Sequence, residues 1–512
     1  MLPGETFGRN LIREVRREGR PARLSKSRFM LGLRCPLALY LHCYAPELAD
    51  VDEGQQAILD QGQLVGALAR NRFPGGLLIA QDYTRQREAE EKTRQVLADP
   101  TIAAVFEAAF TFEDIRIRVD VLRRLPGNRW ALIEVKSSNA VKDYHVPDLA
   151  IQKYVLEGRG LAISEVALMH LNRDYVYDGL SYDLGCLFVI EDLGPSVAEF
   201  EKTLPEHLKR LREVVRLEVA PPIEPGVCCG KPFACAFSDL CAPAHPDGWV
   251  GQLPHLRGWR ADLLEEQNIQ SIYEIPEDFP LTDNQRRICD CVQSGEPYFE
   301  AELAPTLGGL RYPLCFIDFE TVFPALPRFR GMRPYDQIPF QWSLHMQRQP
   351  DGPLEHYQFL AEDSSDPREA FLTSLLKVLE TVDGHILVYN QGFEGPRLKD
   401  LAAWFPEYVL RLEAVSGRLV DLLQIVRKYV YHPNFLGSFS IKSVLPALVP
   451  GMTYEGMEVA EGGQAGVAYE RLISGTLSAE ERHRAIAALQ AYCGQDTRAM
   501  AEVLRVLREN AR

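Results

Sequence analysis

The pattern of apolar and polar positions changes from one part of the chain to another. Residues 314–320 form an apolar run of the strand type, while residues 480–496 are rich in strong helix formers. Further upstream, residues 114–125 alternate between apolar and polar side chains, residues 126–128 read Pro-Gly-Asn, and residues 129–136 run back. Alternation interrupted by turn residues is the pattern of a β-hairpin. The chain is therefore predicted to have a mixed α/β fold.

Between these regions, residues 251–303 carry apolar side chains at helical spacing, followed by Pro276 and Pro280. The apolar positions are Trp259, Leu263, Leu264, Ile269, Ile272 and Ile275. This pattern predicts a small helical linker.

The length of the chain, 512 residues, is too great for one ordinary hydrophobic core. We therefore expect a flexible basic tail over residues 1–22, a first domain over 23–250, the linker over 251–303 and a second domain over 304–512. Hydrophobic residues make up 46% and charged residues 25%, as in soluble globular proteins. No run of 18 apolar residues predicts a membrane span, so no membrane partner is expected.

Charge restricts how this chain can meet a partner. The first 28 residues hold eight Lys or Arg against three Glu, but lack the apolar stretch of a signal peptide, so a solvated tail is expected. The net charge is −15, which excludes a basic field over the whole surface. Any nucleic acid must be bound by a local basic groove, with metal ions covering the acidic groups.

Eleven cysteines without a secretory signal argue against a disulfide framework and for a reducing cytoplasm. Four of them fall within fourteen residues: Cys228, Cys229, Cys235 and Cys241. The five-residue gaps between the last three differ from the Cys-x2-Cys knuckles of structural zinc. Six further cysteines are interpreted as buried small hydrophobes or incidental thiols. These are Cys43, Cys186, Cys289, Cys291, Cys315 and Cys493.

Carboxylates in the last two hundred residues fall into short blocks. The blocks are Asp318-Phe-Glu320, Asn390-Gln-Gly-Phe-Glu394 and Tyr492-Cys-Gly-Gln-Asp496. Alternate residues of a strand share a face, so Asp318 and Glu320 should project together, and close acids repel unless a cation such as Mg²⁺ or Mn²⁺ holds them. On a helix Tyr492 and Asp496 share a face. Tyr492 would then orient a water while Asp496 holds metal.

In order and in placement, these blocks resemble the DEDD exonuclease superfamily, Tyr subtype, over roughly residues 310–505. The resemblance implies an RNase H-like fold and a 3′–5′ exonuclease. It implies that Asp318, Glu320, Glu394 and Asp496 are the ligands of Mg²⁺ or Mn²⁺. Glu394 stands where family members usually carry Asp, one methylene shorter. Residues 418–423 and 437–445 look like connecting segments of the same family.

The predicted hairpin carries a second possible chemistry. Asp120 lies on its first strand, and Glu134 and Lys136 share one side of its second strand. A carboxylate pair that binds Mg²⁺, with a Lys that steadies a hydroxide or phosphate, suits phosphodiester hydrolysis. The pattern resembles the PD-(D/E)XK nucleases, and residues 148–154 look like the helix that carries a Gln, here Gln152, in the RecB-like branch. The alternative is an ordinary exposed strand pair bearing Glu and Lys.

The RecB-like branch includes exonucleases that close a 4Fe–4S cluster with one Cys before the nuclease core and three after it. Residues 24–36 look like the upstream segment. The resemblance implies that Cys35, Cys229, Cys235 and Cys241 hold such a cluster. Zinc on the same four thiols and Cys228 in place of Cys229 remain open. The His that many RecB-like nucleases carry early in the core is not evident at residues 61–66, so the hairpin site is expected to bind metal weakly or to hold DNA.

From Leu24 onward, the arrangement resembles a bacterial family described as a domain of unknown function. We expect a cytoplasmic, Mg²⁺- or Mn²⁺-dependent nuclease, a 3′–5′ exonuclease on single-stranded DNA in repair or defence. The sequence favours DNA over RNA without deciding between them. No P-loop motif is present, so any helicase would be a separate partner. The alternative is an iron–sulfur scaffold that binds nucleic acid after its metal sites have decayed.

Overall fold

The computed structural model describes residues 11–12, 14–50, 53–223, 229–231, 233–241 and 245–511. The chain forms two compact units. Unit 1 comprises residues 1–244 and 324–336, and unit 2 comprises residues 245–323 and 337–512. Each unit combines β-sheet with helices, so the prediction of a mixed α/β fold is confirmed.

Unit 1 is built on a seven-stranded mixed sheet. Its strands are β1 (Leu24–Ser25), β2 (Gly76–Leu78), β3 (Ala104–Phe112), β4 (Ile115–Leu125), β5 (Arg129–Val135), β6 (Ala162–Leu171) and β7 (Phe188–Asp192). The order is β2-β3-β4-β5-β6-β7, with β1 paired to β4. The pairs β1–β4, β2–β3 and β5–β6 are parallel, and the other neighbours are antiparallel.

Apolar clusters cover both faces of this sheet. The helices are α1 (Lys26–Arg34), α2 (Pro36–Tyr44), α3 (Glu53–Ala69), α4 (Gln86–Leu97), α5 (His145–Gly158), α6 (Leu184–Leu187), α7 (Gly194–Glu201), α8 (Leu204–Val214) and α9 (Ser238–Cys241). Trp130 and Leu132 of β5 join the cluster formed with α5 and α8, whereas Ala131 and Ile133 join the cluster that contains Val65 of α3. This is the alternation that a strand buried on both faces requires.

The predicted β-hairpin is confirmed. β4 and β5 pair antiparallel, with Val121 opposite Ile133, and both strands end within one residue of the predicted bounds. Gly127 and Asn128 in the turn have φ of 75° and 57°. Gly and Asn adopt this left-handed conformation most readily, which explains the turn at this point.

A parallel crossover brings polar residues to the end of β5. β5 and β6 are parallel and are joined by α5, as parallel neighbours require. α5 buries Leu149 and Ile151 in the core. The same helix carries Asp148 and Gln152, whose side chains contact the end of β5.

Unit 2 is built on a five-stranded sheet and a separate strand pair. The sheet strands are β9 (Leu314–Val322), β10 (Ile338–Gln347), β11 (Leu354–Leu360), β12 (Ile386–Val388) and β13 (Leu419–Asp421), and the pair is β8 (Tyr298–Phe299) with β14 (Val430–Tyr431). The order is β11-β10-β9-β12-β13. β9, β10 and β11 are antiparallel, whereas β12 and β13 run parallel to β9. The predicted strand, β9, lies in the middle of the sheet.

Unit 2 also contains helices, and the last of them is long. The helices are α10 (Trp259–Glu266), α11 (Asp283–Ser294), α12 (Leu303–Gly308), α13 (Arg368–Leu379), α14 (Gln391–Trp404), α15 (Val409–Ser416), α16 (Leu422–Tyr429), α17 (Ile441–Leu448), α18 (Gly462–Ile473) and α19 (Ala479–Asn510). The predicted helix over residues 480–496 is confirmed as part of α19. A capping box between Ser478 and Glu481 starts it by satisfying two backbone N–H groups.

The two faces of β9 have different neighbours. Cys315, Ile317 and Phe319 point into the main apolar core of unit 2. The alternate residues Asp318 and Glu320 therefore lie on the opposite face. This face meets α19, because Cys493 of that helix contacts Asp318.

Residues 251–303, predicted to be a helical linker, cluster with unit 2. They contain α10 and α11, and also β8, which pairs with β14 of the same unit.

Residues 1–10 and 13 of the predicted tail lie outside the described residues. Beyond them, the Arg17 amide N–H donates to the Glu218 carbonyl at 3.1 Å. Within the described parts of the chain, no helix has the length and apolar composition to cross a bilayer.

Unit 1 is completed by residues 324–336, which lie between β9 and β10 in the sequence. The Ala325 amide donates to Gln61 Oε1 at 2.7 Å, and the Tyr177 amide donates to the Met332 carbonyl at 2.8 Å. Ala325 is buried in the cluster that contains Val65. Unit 1 is therefore discontinuous in the sequence.

Candidate functional sites

The first candidate site lies on β9 of unit 2. Asp318 and Glu320 project from the face that meets α19, opposite Ser343 and Gln341 of β10. Gln341 Nε2 donates to the Leu489 carbonyl of α19 at 2.8 Å and so ties this face of the sheet to the helix.

α19 supplies the next group of side chains: Tyr492, Cys493 and Asp496, all buried. Cys493 Sγ lies 3.7 Å from Asp318 Oδ2. Ligand atoms of Asp318, Glu320 and Cys493 all lie within 4.8 Å of one another, and this is the one such group among the described residues. From the sequence, Cys493 is interpreted as a buried small hydrophobe or an incidental thiol, since nothing in its spacing links it to the acids.

Glu394 approaches from the first turn of α14. Asn390 precedes that helix with φ of 89°, and the Asp421 carboxylate accepts hydrogen bonds from the backbone N–H groups of Asn390 and Gln391, both at 3.1 Å. This fixes the loop that presents Glu394. Glu394 is 1% exposed, and its Oε2 has no hydrogen-bond partner among the described residues. A buried oxygen in this state favours a cation as its partner.

Two further residues of this site are not among those predicted from the sequence. The Tyr454 hydroxyl donates to Asp496 Oδ1, and the Lys442 ammonium lies 5.8 Å from the ring centre of Tyr454 and 5.5 Å from that of Tyr492. Lys442 belongs to α17, within the connecting segment already noted at residues 437–445. Tyr454 follows α17 in a loop and has no motif to mark it.

Burial and mutual repulsion disfavour ionisation of these four acids. Burial, together with Asp496, raises the pKa of Asp318 well above its ordinary value, and burial with Asp318 does the same for Glu320 and Glu394. Burial raises the pKa of Asp496 to about 6, although Tyr454 and Lys442 oppose this. A divalent cation would offset the repulsion, so the chemistry of Asp318, Glu320, Glu394 and Asp496 suits a metal such as Mg²⁺ or Mn²⁺. Of the four, only Asp318 and Glu320 belong to the group of described ligand atoms within 4.8 Å of one another. We call these four carboxylates the unit 2 acidic site.

The second candidate site lies at the end of the hairpin in unit 1. Lys136 Nζ donates to Glu134 Oε1 at 2.7 Å, and Gln152 Nε2 donates to Glu134 Oε2 at 2.7 Å. Asp120 Oδ2 accepts a hydrogen bond from the Val135 amide at 2.8 Å. The structure thus brings Glu134, Lys136 and Gln152 into one contact network, with Asp120 bonded to the backbone between Glu134 and Lys136.

Lys26 and Asp148 complete this network and were missed. Lys26 Nζ lies 2.8 Å from Glu134 Oε1 and 3.6 Å from Asp148 Oδ1, while Lys136 Nζ lies 2.7 Å from Asp148 Oδ2. Lys26 is more than a hundred residues from its partners in sequence, so no local pattern marks it. We call Asp120, Glu134 and Asp148 the unit 1 acidic site.

In the unit 1 acidic site, neighbouring lysines favour ionisation of Glu134, whereas the neighbours in unit 2 disfavour ionisation of its acids. Although burial opposes ionisation of Glu134, Lys136 and Lys26 hold the pKa of that carboxyl well below its ordinary value. Asp120, for which no described residue forms an ion pair, has its pKa raised to about 7 by burial and by Glu134. Both oxygens of Glu134 are already engaged by Lys26, Lys136 and Gln152, so Asp120 and Glu134 do not fit a divalent metal in this arrangement.

The predicted cluster ligands lie in one part of unit 1. Cys35, Cys235 and Cys241 all pack against the small apolar cluster that contains Phe237. The Cys235 amide donates to the Cys229 carbonyl at 2.8 Å. Cys35 caps α2, with its Sγ accepting from the Ala38 amide at 3.5 Å.

These thiols are not drawn together as tightly as a single ion would require. Zinc holds its sulfur ligands at about 2.3 Å, and hence about 4 Å from one another. No three thiols among the described residues converge within 4.8 Å. Cys228 lies outside the described residues.

Comparison with known families finds one match in the region of the unit 2 acidic site. Residues 315–440 match the family described as a domain of unknown function, DUF2779. The matched region contains Asp318, Glu320 and Glu394, and it ends before Tyr492 and Asp496.

Comparison with curated proteins finds a distant relative. An uncharacterized protein of Ureaplasma parvum serovar 3 is 24% identical over 210 residues. The alignment covers 37% of this chain and 30% of the relative's own length.

Proposed function

We propose that unit 2 is a Mg²⁺- or Mn²⁺-dependent 3′–5′ exonuclease of the DEDD type with an RNase H-like fold, acting on single-stranded DNA. The observation that carries this proposal is the pair of acids on one face of β9, Asp318 and Glu320, whose oxygens lie within 4.8 Å of each other, with buried Glu394 and Asp496 near enough to raise their pKa values. Supporting it, the sheet has three antiparallel strands followed by two strands parallel to β9, with the first two acids on that central strand.

Asp318, Glu320, Glu394 and Asp496 would hold the metal. When bound, such an ion activates water and neutralises charge that develops on a phosphodiester. Tyr454 orients the Asp496 carboxylate by donating a hydrogen bond to Oδ1. Asp421 fixes the loop before Glu394 through two backbone N–H groups.

Tyr492 is the residue that would orient the attacking water. Burial, together with Asp496 and Glu320, raises its pKa, so the hydroxyl stays protonated near neutral pH. A protonated phenol both donates and accepts a hydrogen bond, which fixes the direction of a water molecule. Lys442 lies against the rings of Tyr492 and Tyr454 and places one positive charge near Asp318, Glu320 and Asp496.

Unit 1 would hold nucleic acid rather than cut it. It would have a RecB-like PD-(D/E)XK fold, supported by the hairpin, the α5 crossover and the contacts among Asp120, Glu134, Lys136 and Gln152. Cys35, Cys229, Cys235 and Cys241 would bind a 4Fe–4S cluster; in support, Cys35, Cys235 and Cys241 pack against one apolar cluster, and no three of the described thiols lie within the 4.8 Å that a single zinc ion needs. Anaerobic purification followed by iron and zinc analysis tests this, and stoichiometric zinc without iron would overturn the cluster while keeping the site.

The decisive experiment for unit 2 is Asp318→Asn, which removes a ligand at almost constant volume. On a 5′-labelled single strand we expect trimming from the 3′ end to fall by about three orders of magnitude or more, since several kcal/mol of charge stabilisation are lost. Asp351→Asn is the matched control: Asp351 is exposed with φ of 55°, a conformation that Asn adopts readily. It should trim at the wild-type rate.

Parallel reactions separate the competing assignments. Full activity of Asp318→Asn in saturating Mg²⁺ or Mn²⁺, with loss of activity in Lys136→Ala, would move catalysis to unit 1. If wild type leaves both DNA and RNA uncut but binds them, the non-catalytic scaffold is correct. Faster trimming of an RNA strand than of the same DNA sequence would change the substrate class.

A further inference from the structure

Lys26 occupies the position in unit 1 where the carboxylates leave space for a cation. Its ammonium lies 2.8 Å from Glu134 Oε1 and 3.6 Å from Asp148 Oδ1. The side chains of Glu134 and Asp148 are only 2% and 7% exposed, and that of Lys26 is 20% exposed. An ion pair that is this well shielded is screened little by water or salt.

The backbone holds Lys26 in place from both sides. β1 pairs with β4 immediately before it, with Ser25 opposite Arg116. The Ser25 side chain then caps α1 by accepting from the Arg28 amide. On the buried side of α1, a Cβ at Gly32 would lie 2.7 Å from a Leu211 methyl group, so α1 packs closely against α8. Lys26 is therefore presented by a fixed strand and helix, not by a loop.

The sum of charges explains what the ammonium does. The unit 1 acidic site has three carboxylates, and Lys136 supplies one positive charge. Lys26 supplies a second and contacts the same two acids that Lys136 contacts. With Lys26, the two carboxylates of Glu134 and Asp148 meet two ammonium groups; without it they would share the single charge of Lys136, which leaves a position that a divalent cation can occupy.

We propose that Lys26 is a resident countercation that takes the place of a divalent metal in unit 1, so that this site is held together by ammonium groups and binds no Mg²⁺ or Mn²⁺. The inference concerns unit 1 and does not rest on the exonuclease proposed for unit 2. On this proposal the unit 1 acidic site needs no metal ion and the unit 2 acidic site needs one, although both contain buried Asp and Glu.

The test is to count Mn²⁺ ions bound per full-length chain, by calorimetry and by the electron paramagnetic resonance signal of free Mn²⁺. Lys26→Met keeps the length of the side chain and removes its charge. We expect it to bind one more Mn²⁺ per chain than wild type, and Lys26→Met with Glu134→Gln to lose that extra ion. Lys153→Met is the matched control, because Lys153 pairs with Glu157 and Glu201 away from this site.

A second measurement needs no change at Lys26. Asp120→Asn removes a carboxylate that the PD-(D/E)XK resemblance makes a metal ligand, and we expect the number of Mn²⁺ ions to equal that of wild type. Loss of one ion in Asp120→Asn would overturn the proposal. If Lys26→Met folds, as judged by a wild-type circular dichroism spectrum, but binds no more Mn²⁺ than wild type, the proposal is overturned as well. If Lys26→Met does not fold, the comparison of wild type with Asp120→Asn decides.

Discussion

The unit 1 and unit 2 acidic sites are built from the same residue types but balance their charge in opposite ways. In unit 1, Glu134 and Asp148 meet two ammonium groups at 2.7 to 3.6 Å. In unit 2, the carboxylates face one another, and Lys442 lies over two tyrosine rings. On the proposal made for Lys26, a cluster of buried acids does not by itself imply a metal, because cations of the chain beside the acids can balance their charge.

The pKa directions express this contrast. Lys136 and Lys26 hold the pKa of Glu134 below its ordinary value, whereas burial and Asp318 raise that of Glu320. Folding therefore favours the charged form of Glu134 and disfavours the charged form of Glu320. Replacing a carboxylate by its amide should have opposite effects on stability in the two units.

The largest expected effect is in unit 1. Glu134→Gln leaves Lys26 and Lys136 close together with Asp148 as their shared partner, so we expect the free energy of unfolding of unit 1 to fall by about 3 kcal/mol. Hydrogen exchange followed by mass spectrometry, read on peptides from β4, β5 and α5, measures this. In Glu165→Gln, which breaks the exposed pair with Arg123, the loss should be within about 0.5 kcal/mol. Equal losses in the two variants would contradict the contrast between the units.

A smaller effect of opposite sign is expected in unit 2. In EDTA near pH 7.5, Asp496→Asn should raise the free energy of unfolding of unit 2 by about 2 kcal/mol, because Asn cannot acquire the unfavourable charge and its Oδ1 still accepts from Tyr454. Hydrogen exchange in peptides from β9 and α19 measures this change in the free energy of unfolding. Destabilisation at this pH would remove the distinction between the two sites.

The pH dependence of that gain follows from the pKa of Asp496, which rises from 3.8 to about 6 on folding. A raised pKa contributes stability that is present in full below 3.8 and is lost as the pH rises through about 6. The advantage of Asn over Asp should therefore be full above about pH 6 and disappear towards pH 3.8. A gain that does not change with pH would assign the effect to packing.

The smallest expected effect concerns Tyr454. Tyr454→Phe removes one hydrogen bond to Asp496 and should cost about 1 kcal/mol. Since that bond lowers the pKa of Asp496, its loss should raise the pKa and move the acid limb of the trimming rate to higher pH. The control is Tyr83→Phe, at an exposed tyrosine of unit 1. An unshifted profile would limit Tyr454 to a packing role.

Sequence periodicity predicted the local elements well, because neighbours in sequence determine them. The β4–β5 hairpin, β9 and the helix around Tyr492 follow from alternation, turn residues and helix formers. The strand pair of β8 with β14 was not foreseen, since its two halves are separated by more than a hundred residues.

The composition of the two sites was harder to predict, for the same physical reason. Motif spacing named Asp318, Glu394 and Glu134, but the partners that set their charge come from distant segments. Lys26 reaches Glu134 across 108 residues of sequence, and Tyr454 reaches Asp496 across 42. Such contacts depend on packing, which a single sequence does not encode as a local pattern.

The segment 324–336 has a consequence for synthesis of the chain. Residues 1–244 leave the ribosome first. Ala325, which packs in the cluster that contains Val65 and whose amide donates to Gln61, is made only after β9 of unit 2. Unit 1 therefore lacks these contacts until residues 324–336 have been made. A nascent chain arrested before residue 324 should expose the apolar surface that Ala325 covers, and it would depend on continued translation for protection.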